Sequence, residues 1–322
     1  MHWTRAIQDE QQKVMDSGKR NEEKFTGYIL RCASMAPEDL LALCQMAPED
    51  ANWITWSMNG ISDEDEIRKM LFYYSYAQLA DKAPVLALQL PQNQPGAKYD
   101  GLYCGAIYSW ARLDPEAAWN KILTTYGGKE ASRTTITALL NGAGGKNILS
   151  KLSFAGKWGI LDRAVSIFPN EAAQTPAGQD AWLDAFEKAA ISDKIAQLTT
   201  FSKAVEACEG FAGVQRLIGK MAEPGSVLYD TILQEAAARD LEEAAGPKAD
   251  WILAQVSPTA AVGTAETLMK QWTQTDPLSA SEWLDAVPRE AFWRRAAILA
   301  FVSGIEPHDS DAAAEWRAAA DK

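Results

Sequence analysis

The chain has 322 residues, of which 47% are hydrophobic, so it is long enough for about two domains and apolar enough to bury a sizeable core. Lys and Arg total 31 against 43 Asp and Glu, which gives a formal net charge of −12. This acidic balance disfavours nucleic acid as a partner, because the chain would repel a polyanion.

The first sixty residues (1–60) are predicted to form an N-terminal helical cap. They hold two copies of Ala-Pro-Glu-Asp, at 36–39 and 47–50, and each places proline and acids where a helix begins. The opening MHWTRAIQDEQQ has no apolar signal core, and no run is long enough for a transmembrane helix. The sequence as given is typical of a cytoplasmic protein, and a trimmed leader would instead place it in the cell envelope or outside the cell.

The next stretch, ISDEDEIRKMLFYYSYAQLA (61–80), is predicted to be a helix. Ser62 and Asp65 resemble a capping box, acids fill the first turn, and a long apolar body follows. The same helix carries an aromatic run that is a candidate oligomerisation patch: Phe72, Tyr73, Tyr74 and Tyr76.

Two stretches share an unusual Trp-x-x-x-Asp-Pro pattern, YSWARLDPEAAW (108–119) and KQWTQTDPLSASEW (270–283). Aspartate is a good N-cap, proline fits the first helical position, and the residue before proline is pushed out of the helical region. Asp-Pro therefore predicts that one helix ends and the next begins. The preceding Trp lies on the last turn of the ending helix, where its ring can cover the junction. The predicted junction residues are Trp110, Asp114, Pro115, Trp272, Asp276, Pro277 and Trp283.

Weaker copies of this unit predict further junctions. KWGILDRAVSIFP has Trp158 and Asp162 at the same spacing. The cap positions are then Ala80, Asp114, Asp162, Asp193, Asp240, Asp276 and Glu306. They are separated by 30 to 48 residues, which is about the length of a helical hairpin in a solenoid. We therefore predict an all-α fold, a right-handed superhelix of about six or seven antiparallel hairpins (61–322).

The strings WARLDPEAAW (110–119) and WTQTDPLSASEW (272–283) resemble the units of divergent bacterial α-solenoid proteins, built on a W-A-x-x-D-P-x-A-A-x-x-W theme. In class these proteins are similar to tetratricopeptide and HEAT repeats. The resemblance covers roughly residues 60–322 and implies a superhelix of helix pairs that serves as a binding scaffold.

Two glycine-enriched stretches interrupt the predicted array, at 141–159 and 209–225, and we expect bends or loops there, with any domain division near the first. GAGGKN (142–147) is not a phosphate-binding loop, because Leu140 stands where the first glycine belongs and Asn147 replaces the magnesium-binding Ser or Thr. A glycine cluster at a helix C-terminus is the preferred interpretation.

Residues for common catalytic chemistry are scarce, and we predict no catalytic residue, cofactor or metal ligand. The only histidines are His2 and His308, and there is no H-E-x-x-H. Four cysteines have no C-x-x-C spacing; Cys32 and Cys44 either pair or are small buried hydrophobes. An α/α enzyme that uses paired carboxylates and tryptophan platforms on a glycan stays open as an alternative.

The leading functional prediction is a non-enzymatic scaffold that binds a protein or peptide partner on a concave face, with oligomerisation as a further option. The alternative is a carbohydrate-active α/α-toroid enzyme or a glycan-binding protein. The candidate partner-binding residues are aromatic or cationic and lie outside the repeat junctions: Trp53, Trp56, Tyr73, Tyr74, Trp293, Arg294 and Arg295.

Overall fold

The structure is a computed structural model, and it describes residues 22–45, 64–92, 100–127, 130–221, 225–239, 241 and 245–320. Across these ranges the regular elements are all helices, and no strand is present. The predicted all-α class is confirmed, and its many successive short helices are consistent with the helical-repeat class. Among the described residues, no helix combines the length and the apolar character needed to cross a bilayer.

The chain divides into two compact units. The first comprises the described residues up to Phe168 together with Ala181–Ala189, and the second comprises Pro169–Asp180 and the described residues from Ala190 onward. The helix Pro176–Lys188 contributes residues to both units.

The helices of the first unit are α1 (Glu22–Ser34), α2 (Pro37–Gln45), α3 (Glu64–Lys82), α4 (Pro84–Ala87), α5 (Gln89–Gln92), α6 (Asp100–Leu113), α7 (Pro115–Tyr126), α8 (Arg133–Gly144), α9 (Ile148–Lys157) and α10 (Leu161–Ile167). The first Ala-Pro-Glu-Asp copy starts α2 as predicted, and the second copy lies outside the described residues. Helices α1 and α2 both pack on α3. The role of residues 1–60 as a cap stays a prediction.

The remaining helices are α11 (Pro169–Ala172), α12 (Pro176–Lys188), α13 (Lys194–Lys220), α14 (Val227–Ala237), α15 (Ala245–Gln255), α16 (Pro258–Thr275), α17 (Pro277–Ala286), α18 (Arg294–Ile305) and α19 (Ser310–Ala320). In the second unit, α14 packs on α16 and α16 packs on α18, while α15 and α17 contact the helices on either side of them in sequence.

Both Asp-Pro junctions form as predicted. Asp114 caps α7 by accepting a hydrogen bond from the Ala117 amide at 3.0 Å, and Asp276 caps α17 by accepting one from the Ser279 amide at 3.1 Å. The amide of each aspartate still donates to the carbonyl of the Trp four residues earlier, at 2.8 Å in both cases. The preceding helix therefore runs up to the junction and ends there.

The environment of these junctions recurs at a fixed offset of 162 positions (276 minus 114). Helices α6 to α9 have counterparts in α16 to α19, whose bounds agree within a few residues after this shift. The strings R-x-x-I-x-A-x-x-x-G at 133–142 and at 295–304 fall in counterpart helices α8 and α18. Ile136 and Ile298, at the same position in these strings, are both fully buried. The second unit thus repeats the helix order and core positions of this part of the first.

Glycine allows the main helix pairs of both units to pack closely. A Cβ on Gly142 of α8 would collide with the carbonyl oxygen of Tyr108 and would lie 2.7 Å from the Cβ of Ala111 on α6. A Cβ on Gly304 of α18 would lie 2.6 Å from Cγ2 of Thr273 on α16. Gly142 and Gly304 are also separated by 162 positions, so the two pairs α6–α8 and α16–α18 approach at equivalent points.

Two of the weaker predicted caps are wrong. Ala80 lies inside α3, and α4 begins only at Pro84, after the uncapped Ala83. Glu306 ends α18 instead of starting a helix, and the first turn of α19 is capped by Asp309, which accepts from the Ala312 amide at 2.9 Å. At Ala80 the next proline, Pro84, comes four residues later and starts the helix there. Pro307 directly follows Glu306, but the helix begins only at Ser310, after Asp309.

The junction at Trp158 and Asp162 exists, but Asp162 is not its N-cap. Gly159 takes a left-handed conformation (φ 69°) after α9, and Ile160 occupies the cap position without a side-chain hydrogen bond. Asp162 lies in the first turn of α10, where its charge faces the positive end of the helix dipole. Asp193 does cap α13 as predicted, and Asp240 lies outside the described residues.

Both glycine-enriched stretches interrupt helices as predicted. Gly145 (φ 59°) ends α8, and Asn147 then caps α9 by accepting from the Leu149 amide at 3.0 Å. The second stretch continues as helix to Lys220 but is kinked at Gly210 (φ 65°). Next to the kink, Glu209 accepts a hydrogen bond from Gln179 at 2.9 Å and pairs with Arg216 at 2.5 Å.

Candidate functional site

A surface groove runs between α16 and α18 in the second unit, with a cavity volume of about 440 Å³. One wall comes from α16 and the floor and opposite wall come from α18. The lining residues are Glu266, Thr267, Lys270, Gln274, Ala296, Leu299, Ala300, Ser303 and Gly304.

The floor of the groove is made of small residues in helical register. Ala296, Ala300 and Gly304 follow one another at four-residue spacing, so they share one face of α18. Their small size leaves the backbone of α18 close to the surface of the groove. Gly304 also allows α18 to lie against Thr273 of α16, which sets the distance between the two helices.

The α16 wall carries a polar row at the same spacing. Glu266, Lys270 and Gln274 are all exposed and lie one helical turn apart. None of the three takes part in a side-chain hydrogen bond or an ion pair with any residue that the structure describes, and Ser303 across the groove makes no side-chain hydrogen bond there either. The groove therefore presents one carboxylate, one ammonium and one amide that have no partner within the described part of the chain.

The equivalent surface of the first unit has different chemistry. At an offset of 162 positions, the residues that correspond in sequence to Glu266, Lys270 and Gln274 are Cys104, Tyr108 and Arg112 on α6. Cys104 is buried, and the Arg112 guanidinium lies 5.9 Å from the Tyr108 ring centroid and 3.5 Å from the Asp81 carboxylate. Arg112 is thus engaged with its own unit, whereas its counterpart Gln274 is not.

A stack of three tryptophans lies near the junction of the second unit. Trp272 is buried, its ring is 5.6 Å from that of Trp283, and Trp283 in turn stacks on Trp293 at 5.8 Å with an interplanar angle of 10°. The Trp283 indole donates to Asp250 at 2.9 Å. The ring contacts join α16, α17 and the start of α18.

The first unit has a similar cluster at the end of α9. Trp158 stacks on Trp119 at 5.5 Å and on Phe154 at 5.1 Å. Its indole donates to the Glu116 carboxylate, and a hydrogen bond from Lys157 lowers the pKa of Glu116. Trp158 therefore covers its junction as predicted.

The predicted partner-binding residues fall in different places. Trp53 and Trp56 lie outside the described residues. Tyr73 is 51% exposed and Tyr74 is partly exposed, with their rings edge-on at 6.2 Å. Of the proposed oligomerisation patch, Phe72 and Tyr76 are buried, so the four aromatics do not form one exposed surface.

The C-terminal candidates lie beside the tryptophan stack. Trp293 is partly exposed and is stacked on Trp283, so one of its faces is already covered. Arg294 is partly buried, and its Nε is a buried donor that has no hydrogen-bond partner among the described residues. Arg295 is exposed. None of the three lines the groove between α16 and α18.

A buried charge cluster in the second unit has a structural role. Glu206 lies 2.9 Å from Nε of Arg239 and 3.1 Å from Nζ of Lys248, and its side chain is only 9% exposed. Lys248 also donates to the Arg239 carbonyl at 2.6 Å and lies 4.9 Å from the Phe211 ring centroid. Burial lowers the pKa of Arg239. The cluster ties α13 to the chain on both sides of the segment 240–244.

The described residues include no group of three or more His, Cys, Asp or Glu side chains arranged to hold a metal ion. Cys32, Cys44 and Cys104 are buried free thiols and Cys208 is an exposed one. Burial raises the pKa of both Cys32 and Cys44. Cys32 and Cys44 are therefore small buried hydrophobes and not a disulfide.

In comparisons with known proteins, the chain matches no family model, no curated protein and no solved structure. The resemblance to α-solenoid repeats rests on the chain's own helices and junctions.

The groove was not predicted from the sequence, although two signals for it are present. One is a polar row at four-residue spacing, Glu266, Lys270 and Gln274, in a helix that also carries a buried apolar face. The other is the small-residue row Ala296, Ala300 and Gly304 in the facing helix. Neither row indicates a groove until the two helices are known to be neighbours.

Proposed function

We propose that this protein is a non-enzymatic helical-repeat scaffold that binds a protein or peptide partner. The finer arrangement that we propose with it is an array of about six or seven helical hairpins, wound as a right-handed superhelix of the tetratricopeptide or HEAT type. In such arrays each hairpin contacts its neighbours, and the stacked helices offer an extended surface for a partner.

The observation that carries the proposal is that the helical frame and its buried positions recur at the 162-position offset while the surface chemistry changes. The junction aspartate recurs at Asp114 and Asp276, and a buried isoleucine recurs at Ile136 and Ile298. Other counterparts keep their burial but not their residue type, as at Ala106 and Leu268. Counterpart positions on the outward wall differ, as at Tyr108 and Lys270. This contrast is typical of a scaffold whose frame is repeated and whose surface is adapted to a partner.

A protein or peptide is favoured over a glycan because two of the described tryptophans, Trp158 and Trp283, have ring faces covered by other aromatic rings. A sugar platform needs an open ring face, yet Trp283 shares one face with Trp293 and Trp158 is stacked on Trp119. The groove lining includes one carboxylate, Glu266, where a glycosidase needs two.

Screening a displayed library of random peptides and a glycan array against the folded chain tests the proposal. We expect a set of peptides to be enriched, and synthetic copies of them to bind saturably in titrations. The urea-unfolded chain, captured in the same way, serves as the control. Enrichment no greater than on this control, or saturable binding on the glycan array alone, would contradict the proposal.

A further inference from the structure

We propose that the groove between α16 and α18 binds an extended peptide carrying a basic and an acidic side chain two residues apart. The inference rests on the proposed function, because it assigns the partner's chemistry to one surface of the scaffold. Glu266 would pair with the basic side chain and Lys270 with the acidic one.

The spacing of the wall fits such a segment. Glu266 and Lys270 lie four residues apart on α16, which corresponds to about 6 Å along the helix axis. Side chains at positions i and i+2 of an extended chain lie on the same side and are separated by about 6.6 Å. A peptide lying along α16 can therefore place two successive same-side residues opposite Glu266 and Lys270.

The charged side chains of the α16 wall are complementary to a peptide that carries both a positive and a negative charge. Glu266 and Lys270 are neighbours of opposite charge, but they form no ion pair with each other or with any other described residue. A bound peptide of alternating charge would supply both partners. One turn further on, the Gln274 amide can donate to a peptide carbonyl and accept from a peptide amide.

The floor of the groove has room for a peptide backbone. Ala296, Ala300 and Gly304 keep side-chain atoms out of the way, and Ser303 offers a hydroxyl beside them. The volume of about 440 Å³ lies within the range of about 300–1,000 Å³ of known ligand pockets. A segment of a few residues fits, and a folded domain does not enter.

The first unit provides an internal comparison. At the counterparts of Lys270 and Gln274 it has Tyr108 and Arg112, on a helix pair that approaches in the same way. A tyrosine and an arginine are therefore compatible with this frame. The double variant Lys270→Tyr/Gln274→Arg removes the proposed partner of the acidic side chain and keeps Glu266, and each new residue is one that the first unit carries at the equivalent position.

The probes are three synthetic pentapeptides with blocked ends: Ser-Lys-Ala-Asp-Ser, Ser-Lys-Ala-Lys-Ser and Ser-Asp-Ala-Asp-Ser. Each is titrated into the full-length, ¹⁵N-labelled chain, and binding is followed by amide shifts in α16 and α18. We expect the Lys-Ala-Asp probe to bind about three- to tenfold more tightly than the other two, since each exposed ion pair contributes modestly. The preference should shrink as salt is raised to about 0.5 M.

Charge reversal tests the assignment of each partner. Lys270→Glu should bind the Lys-Ala-Lys probe best, and Glu266→Lys should bind the Asp-Ala-Asp probe best. The grafted variant Lys270→Tyr/Gln274→Arg lacks Lys270 but keeps Glu266, so it should no longer prefer the Lys-Ala-Asp probe over the Lys-Ala-Lys probe. Glu315→Lys is the control, because it makes the same charge change as Glu266→Lys but on the exposed surface of α19. It should leave the order of affinities for the three probes unchanged. Circular dichroism melting of every variant confirms that the second unit is folded.

The outcomes separate this inference from the broader proposal. If no probe shifts amides of α16 and α18, or if the charge variants keep the wild-type order, the groove assignment is wrong. Should library peptides still bind a variant whose groove is blocked by Ala300→Trp, the scaffold function stands and its binding surface lies elsewhere.

Discussion

Asp276 repeats the backbone conformation of Asp114 within a few degrees, with φ −148° and ψ 84° against φ −147° and ψ 89°. Each carboxylate accepts from the amide three residues on, and each carbonyl accepts from the amide four residues on at 3.1 Å. The two residues therefore hold the same junction in the two units. This similarity makes paired experiments informative, because a change in one unit has a matched site in the other.

Replacing Asp114 with Ala is expected to destabilise the first unit by about 0.5–2 kcal/mol, because the α7 N-terminus loses the acceptor of the Ala117 amide. Asn retains an acceptor at this position, so Asp114→Asn should cost much less. Urea unfolding followed by circular dichroism measures both variants. Equal losses for Ala and Asn would mean that the hydrogen bond to Ala117 is not what the aspartate contributes.

Asp276 is expected to make stability depend on pH in the acid range. Hydrogen bonds from the Ser279 side chain and backbone amide lower the pKa of Asp276 below its ordinary value. A carboxyl whose pKa is lower in the folded state stabilises the protein above its unfolded pKa, near 3.9, and that contribution is lost as pH falls through the folded pKa. Comparing wild type with Asp276→Asn should show a gap in urea midpoint at neutral pH that closes in this acid window. A gap that does not change from pH 7 to pH 2 would contradict the assignment.

The sequence predicted the junctions well because each one is decided locally. Trp, Asp and Pro within six residues determine where a helix ends and how the next one begins, so residues 110–115 and 272–277 are enough to predict the junction. Where the local pattern is weaker, other residues decide. At 158–162 the left-handed Gly159 ends the helix, and at 306–309 the better carboxylate, Asp309, takes the cap.

The candidate groove depends on contacts between helices that are distant in sequence, and this is why residue patterns alone did not predict it. Lys270 and Ala300 become neighbours only because α16 and α18 pack with α17 beside them. The sequence shows that Gly142 and Gly304 are separated by the same 162 positions as the two junctions. It does not show that each glycine marks a close helix contact, because that depends on Gly142 packing against α6 and Gly304 against α16.

Gly304→Ala is expected to destabilise the second unit by about 1–3 kcal/mol, even though Ala favours helix, because the new methyl group would press on Cγ2 of Thr273. Thr273→Ala should restore most of this loss in the double variant, since it removes the atom that is struck. Thermal unfolding of both single variants and of the double variant gives the coupling free energy.

Gly142→Ala is the matched case in the first unit, and there the obstacle is the carbonyl oxygen of Tyr108. No substitution removes a backbone atom. Ala111→Gly removes only the second obstacle, the Ala111 methyl group, so it should restore little of the stability that Gly142→Ala loses. Equal rescue in the two units would show that the helix pairs relax by moving apart instead of being held at close contact.

Glu206→Gln is expected to destabilise the second unit by about 3–5 kcal/mol, because the change leaves two cations, Arg239 and Lys248, around a buried position that no longer carries a carboxylate. Lys203→Met is the control, since its ion pair with Glu235 is half-exposed and should contribute less than about 1 kcal/mol. Urea unfolding measures the loss, and amide hydrogen exchange in α13 and α15 locates it. A loss for Glu206→Gln no larger than that for Lys203→Met would show that Arg239 and Lys248 find other counter-charges, and that the cluster does not hold α13 in place.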